Sequence, residues 1–383
     1  MKVLIMVIDG FGIGEMPDAD KYGDMGSNSF LNCYRMKKFN IPNLEKMGIL
    51  NIQGINMHTD HNVMGSYSRL ESLSVGKDSI TGHQEMMGII NKEPMIVFNK
   101  IIPQIVVDLI ENEIGNEVIC KKPISGTVAI EKYGKEHLET RKPILYTSAD
   151  SVIQIAAHTD IYSLDEIYKM CSKLRKVLIG DYKVGRVIAR PFSGNAKEGF
   201  YRTPDRKDYA LNPTEKSFLE LINNKGYKTI SVGKVESMFN GIGFDESYPG
   251  KSNIETIDSI NNILSKDFKG IVFANLPDTD TTFGHRNDVD GYIKSVEEID
   301  KSLPEVISRL GNDDILIITS DHGNDPTTPS TDHSREYVPM LIYGKTISGN
   351  IDLGTLSGLD VVGKIALEKL GIYKKNILNK LER

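Results

Sequence analysis

Three aspartates and three histidines stand where apolar runs break off, and metal chemistry is what those residue types suggest there. Asp9 directly follows the apolar run 3–8. Asp280 comes shortly after the run 270–276 and is followed by His285 in DTTFGH. Asp321 closes the run 314–320, His322 is next to it, and His333 follows in STDHSRE. Carboxylates and imidazoles without a thiolate suit Mn²⁺, Mg²⁺, Zn²⁺ or Fe²⁺. Six donors exceed what one four-coordinate ion needs. Two ions about 4 Å apart would use them all. Any one of these histidines, taken singly, also reads as a core or capping residue. His58 and His61, in MHTDHN, read as surface or loop residues.

A second segment, residues 74–88, is rich in glycine and hydroxyls and runs into a helical pattern. A serine at a helix N-terminus sits among free backbone N–H groups in a positive field. Beside a divalent ion, the Ser79 hydroxyl can ionise and attack phosphorus. Taken alone, the same segment reads as an ordinary helix start capped by Asp78 or Ser79, and His83 as a residue hydrogen-bonded inside the loop. A Walker A loop is excluded, because GxxxxGK[ST] is absent.

The elements that must position these residues are legible from periodicity. Residues 3–8, 228–234, 270–276 and 314–320 are continuous apolar runs ending in turn residues, as buried parallel strands do. Helical patterns cover 215–224, 254–265, 290–310 and 358–370. Strands alternating with helices predict an α/β core with a parallel sheet, and ligands of such sheets bind beyond the strands' carboxyl ends. From about 97 to 212 the strands are less continuous and the connections more polar. That stretch reads as a second α+β domain inserted into the first, giving a core of 1–96 plus 213–383 and an insert of 97–212. The tail 374–383 reads as a charged, solvated terminal helix.

Composition bounds the function. The chain has 383 residues with 39% hydrophobic and 26% charged residues, that of an ordinary globular protein. A net charge of −6 argues against non-specific nucleic-acid binding. Three scattered cysteines, Cys33, Cys120 and Cys171, make no disulfide framework and point to a reducing compartment. No run reaches the roughly 18 apolar residues of a membrane span. A cytoplasmic protein with no membrane or nucleic-acid partner is expected.

With these residues assembled, the sequence closely resembles the phosphopentomutases of the prokaryotic, metal-dependent type, within the alkaline phosphatase superfamily. The resemblance runs nearly end to end. It rests on DGFGIGEMPDA from Asp9, GKDSITGHQEMMG from Gly76, YTSADSVIQIAA from Tyr146, VGRVIARPF from Val184 and YRTPDR from Tyr201. DTTFGHR from Asp280, DHGNDPT from Asp321 and TDHSREYVP from Thr331 complete the ordered set.

The resemblance implies an alkaline-phosphatase-like parallel-sheet core with an inserted α+β cap. It implies that Asp280, His285 and His333 hold one Mn²⁺ and Asp9, Asp321 and His322 the other, with Mg²⁺, Zn²⁺ or another divalent ion as substitutes. Ser79 aligns with the family's phosphorylated threonine. Ser148, Asp150, Arg186 and Arg202 in the cap, joined by Lys234 from the core, would contact a small phosphosugar; arginines suit phosphate through bidentate bonding. The implied reaction interconverts α-D-ribose 1-phosphate and D-ribose 5-phosphate, and the 2-deoxyribose pair. It passes through a phosphoserine and a sugar bisphosphate, and a sugar bisphosphate primes it. Closure of the cap would keep water from the phosphoserine. Two departures stand out: Ser79 in place of threonine, and Gln84 in place of the family's usual tryptophan. The second leaves open a paralogue acting on another phosphosugar. Cofactor-independent phosphoglycerate mutase shares the Ser79-x-x-Gly-His83 and Asp321–Asn324 motifs but is usually much longer. A metal-dependent phosphatase and a non-catalytic binding protein are the remaining alternatives.

Overall fold

The computed structural model describes residues 1–57, 63–148, 151–212 and 215–382. The chain divides into two compact units, Met1–Glu93 with Pro213–Arg383, and Pro94–Asn212.

The first unit is built on an eight-stranded sheet. In spatial order its strands are Glu246–Tyr248, Lys228–Val232, Gly270–Leu276, Lys2–Ile8, Ile315–Thr319, Val338–Tyr343, Ser66–Glu71 and Asp352–Ser357. The first five run parallel, with Val3 paired to both Ile271 and Ile315. Val338–Tyr343 then turns antiparallel to both of its neighbours. Val3 to Ile8 are all buried, which is why the strand reads apolar on both faces: helices cover both sides of a parallel sheet. Burying each such side chain contributes on the order of 1.5–3 kcal/mol. Helices Asn253–Leu264 and Val289–Ser308 pack Ile257, Ile260, Tyr292, Val296 and Leu303 onto this core.

The tail differs from its sequence reading. Its only helical turn among the described residues is Leu378–Leu381, and Leu378 and Leu381 are fully buried. Lys369 and Lys375 both pair with Glu382. Lys374, Lys375 and Lys380 are exposed, and the two leucines dock the segment.

The second unit is a mixed sheet ordered Ile119–Pro123, Ile144–Thr147, Val152–His158, Arg186–Asn195 and Gly199–Arg202, with Lys207–Ala210 also pairing to Arg186–Asn195. Helices Gln104–Ile114 and Leu164–Val177 cover one face through Val106, Ile110, Ile167 and Leu174. Helix Gly126–Thr140 packs Ala129 and Ile130 against Ile144, Tyr146 and Phe192 on the other.

Candidate metal centre

Strand ends in the first unit deliver the acidic residues to one place. Asp9 follows Lys2–Ile8 at the sheet's carboxyl edge, and Asp321 lies just past Ile315–Thr319. Asp280 lies in a wide helical turn, Thr279–Phe283, after Gly270–Leu276. All three are buried, as are His322 and His333. Asp9, Asp321 and His322 each offer a ligand atom within 4.8 Å of the others, and so do Asp280, His322 and His333. His285 Nε2 lies 3.3 Å from Asp280 Oδ2, and His333 Nε2 lies 3.3 Å from Asp280 Oδ1. The His322 and His333 rings are 3.9 Å apart, so His322 stands between the two groups.

Three buried carboxylates this close repel one another, and the electrostatics show it. Burial, then Asp321 and Asp280, push Asp9 well above the usual carboxylate range. Burial also works to raise Asp280 and Asp321, but imidazoles outweigh it: His333 and His285 hold Asp280 down, and His322 and His83 hold Asp321 down. Burial lowers His322. Asp321 Oδ2 is buried and accepts no well-aligned hydrogen bond. A cluster of hard oxygen donors and imidazoles, with a buried oxygen left without a proton donor, fits divalent cations.

Ser79 opens the helix Ser79–Met86. Its hydroxyl lies 3.0 Å from His322 Nε2 and 3.4 Å from Asp9 Oδ1. The helix cap is Asp78, which accepts from the Thr81 N–H at 3.1 Å and the Thr81 hydroxyl at 2.6 Å. A Cβ on Gly82 would stand 2.4 Å from the Asp321 backbone oxygen, so glycine is what lets this helix abut the strand end. Gln84 is buried; its Nε2 donates to the Met238 carbonyl at 3.0 Å, and its Oε1 accepts from Asn91 at 3.4 Å. The departure at Gln84 is therefore an interior hydrogen-bonding change.

Supporting residues that the sequence did not single out surround the cluster. Asn324 Nδ2 donates to Asp280 Oδ1 at 2.7 Å. Asn275 Nδ2 donates to Asp9 Oδ2 at 3.0 Å. Arg335 donates to the carbonyls of Ser74 and Gly76 at 2.9 and 2.7 Å, fixing the loop before Ser79. Glu336 accepts from Gly14 N–H, Ser29 N–H, Ser29 hydroxyl and Ser334 hydroxyl at 2.6–3.0 Å. The motif positions of Asn324, in DHGN, and Arg335, in SRE, were the available signal.

Lys234, also in the first unit, donates to the Thr281 hydroxyl at 2.7 Å, next to Asp280. In the second unit, Ser148 follows Ile144–Thr147, Arg186 opens Arg186–Asn195 and Arg202 ends Gly199–Arg202. Arg186 lies 3.7 Å from Asp208, which Arg206 grips with two 2.6 Å hydrogen bonds. Arg190 shares the face of Arg186, since strand side chains alternate, and burial pushes it down to about 10. Asp150, His58 and His61 lie outside the described residues.

The Metalloenzyme superfamily model matches residues 1–374. A phosphopentomutase of Clostridium kluyveri is 45% identical, over 99% of this chain and 100% of the relative. One of Acetivibrio thermocellus is 44% identical, over 97% and 96%, and one of Carboxydothermus hydrogenoformans 46%, over 92% of each. The chain belongs to the phosphopentomutase family. Among solved structures, the PH0037 protein from Pyrococcus horikoshii matches over 98% of both chains, with a TM-score of 0.50 at 14% identity. With the superfamily match, this makes the parallel-sheet core alkaline-phosphatase-like. Membership of the phosphopentomutase family makes the chain an enzyme of the intramolecular phosphotransferase kind. No helix among the described residues is long and apolar enough to cross a membrane.

Proposed function

We propose that this chain is a phosphopentomutase that interconverts α-D-ribose 1-phosphate and D-ribose 5-phosphate, and the 2-deoxyribose pair, through a phosphoserine at Ser79. One observation carries the reading: a serine hydroxyl at a helix N-terminus lies 3.0 Å from His322 Nε2 and 3.4 Å from Asp9 Oδ1, at the edge of a buried carboxylate–imidazole cluster.

In this reading Asp280, His285 and His333 hold one Mn²⁺, and Asp9, Asp321 and His322 the other; Mg²⁺ or Zn²⁺ suits the same donors. When bound, such ions neutralise phosphoryl oxygens and favour the ionised serine. The free hydroxyl of the sugar phosphate attacks the phosphorus on Ser79. Its O–P bond forms as the Oγ–P bond breaks, and its proton passes to the departing Ser79 Oγ, restoring the hydroxyl. The resulting sugar bisphosphate turns and returns its other phosphoryl group to Ser79 by the reverse exchange. Backbone N–H groups of the first turn of Ser79–Met86 face the transferred group. Residues 97–212 act as a cap in which Ser148, Asp150, Arg186 and Arg202 bind sugar and phosphate, with Lys234 contributing from the core. A sugar bisphosphate primes the serine. A cytoplasmic setting fits such a substrate.

The test is a mutase assay on ribose 5-phosphate and 3-phosphoglycerate side by side, with Mn²⁺ and a bisphosphate primer. Conversion of the pentose alone is expected. Preference for 3-phosphoglycerate, or release of inorganic phosphate as the main product, would overturn the reading. So would fewer than one bound ion per chain after Mn²⁺ loading.

A further inference from the structure

Behind Ser79 lies a buried histidine that neither the ligand set nor the nucleophile accounts for. His83 is fully buried one turn further along the Ser79–Met86 helix. Its Nδ1 is 2.8 Å from the Ser79 carbonyl oxygen and 3.2 Å from Asp321 Oδ2. Its Nε2 is 3.3 Å from Asn275 Nδ2. The same amide nitrogen is 3.0 Å from Asp9 Oδ2. An amide NH₂ has two hydrogens and no acceptor capacity. Asn275 therefore donates one hydrogen to Asp9 and the other to His83 Nε2. That leaves the ring's own hydrogen on Nδ1, directed at the Ser79 carbonyl with the Asp321 carboxylate beside it. The ring also packs on Phe273, with centroids 5.4 Å apart, which restrains its tilt.

We propose that His83 is a positioning residue: its Nδ1–H donates to the Ser79 carbonyl while the same ring edge lies against the Asp321 carboxylate, and Asn275 locks the ring while holding Asp9. The inference rests on the reading of Ser79 as nucleophile and of Asp9 and Asp321 as metal ligands. The helix alone sets where the Ser79 backbone lies only to within its own fluctuation. A second donor on the Ser79 carbonyl, packed 3.2 Å from the carboxylate that would receive an ion, couples the nucleophile's position to the centre. Groups that orient ligands in this way typically change affinity or rate about 10–100-fold when removed.

The amide nitrogen of an asparagine reaches the position of a histidine Nδ1, whereas that of glutamine reaches the position of Nε2. His83→Asn should therefore keep the donor that matters, and His83→Gln should lose it. The experiment measures the single-turnover rate of Ser79 phosphorylation by a sugar bisphosphate, by intact mass, in Mn²⁺-loaded full-length protein. Mn²⁺ affinity and melting temperature are recorded on the same samples. His83→Gln is expected to slow phosphorylation about 100-fold at saturating Mn²⁺, with His83→Asn within about 10-fold of wild type and Mn²⁺ affinity weakened in the Gln variant. Equal rates in the Asn and Gln variants, or losses that follow melting temperature alone, would overturn it. His83→Ala is the third arm, and the Asn–Gln comparison decides the matter even if the alanine variant does not fold. Ser79→Ala in the same series separates the two ideas. An adduct that persists there refutes the nucleophile, whereas a wild-type rate in both His83→Asn and His83→Gln refutes only the positioning role.

Discussion

Asp78 accepts two hydrogen bonds from Thr81, while the Ser79 hydroxyl faces His322 and Asp9. Capping and the chemistry proposed for Ser79 therefore belong to adjacent residues and can be separated. Asp78→Ala should lower stability by about 1 kcal/mol. Ser79→Ala should leave the melting temperature nearly unchanged, yet abolish both mutase activity and the phosphoryl adduct seen by intact mass. Ser79→Thr should keep part of the activity, because the hydroxyl is retained and the added methyl restricts only χ1. An adduct surviving in Ser79→Ala would move the phosphorylation site elsewhere in the loop. Glu336 offers a second separation. Burial pushes its carboxyl up from 4.5 to about 7, against the lowering donors at Ser334, Ser29 and Gly14. A folded-state value above the unfolded one gives stability that is full below about pH 4.5 and is lost as pH rises through about 7. Glutamine can accept from the two N–H groups and donate to the two hydroxyls, so Glu336→Gln should fold and flatten that slope in melts between pH 4.5 and 7.5. Glu336→Ala should cost about 2–4 kcal/mol, because four donors lose their acceptor. An unchanged slope in the glutamine variant would refute the assignment.

At the scale of elements, the close approach of the Ser79–Met86 helix to Asp321 depends on Gly82. A Cβ there meets the Asp321 backbone oxygen at 2.4 Å and its Cβ at 2.7 Å, and backbone cannot step aside as a flexible side chain can. Gly82→Ala gains helix propensity of up to about 1 kcal/mol and loses about 1–3 kcal/mol to overpacking. The expected outcome is a folded protein with a displaced helix and phosphorylation slowed at least about tenfold; wild-type turnover would show that the helix can shift without consequence. The parallel strands were legible because burial on both faces leaves an unbroken apolar run: the runs at 3–8 and 270–276 match Lys2–Ile8 and Gly270–Leu276 closely. Ser66–Glu71 escaped because its sequence, SYSRLE, carries polar residues on an interior strand, with Ser66 and Ser68 both buried. Val338–Tyr343 was missed although VPMLIY is a strong apolar run; its proline falls within the strand, where it normally argues against one. The carboxylates and imidazoles announced themselves by spacing. Asn275, inside an apolar strand, and Glu336 did not, because their partners are distant in sequence and no local pattern marks a residue that holds another in place.

On the scale of the whole molecule, the first unit is assembled from two separated lengths of chain and the second from one continuous length. Every sheet pairing of the second unit joins residues within 119–210. The central strand of the first unit must wait for partners far downstream, since Val3 pairs with Ile271 and Ile315. Loop closure over long separations slows folding. Pulsed hydrogen exchange during refolding should therefore show the amides of Val152–His158 protected before those of Lys2–Ile8. Simultaneous protection, or the reverse order, would refute this.

The same arrangement bears on how the protein is made. Chains emerge from the ribosome amino end first, at roughly 5–20 residues per second. A strand as apolar as Lys2–Ile8 leaves the exit tunnel long before either of its neighbours exists. Until residues 270–276 and 315–319 follow, both of its edges stay open, the condition under which strands pair with the wrong chain. The strand that ends at Asp9 is thus exposed to mispairing on both edges during synthesis. Slower translation or a shortage of chaperones should be felt first as aggregation through the strand Lys2–Ile8, before any loss of activity per folded molecule.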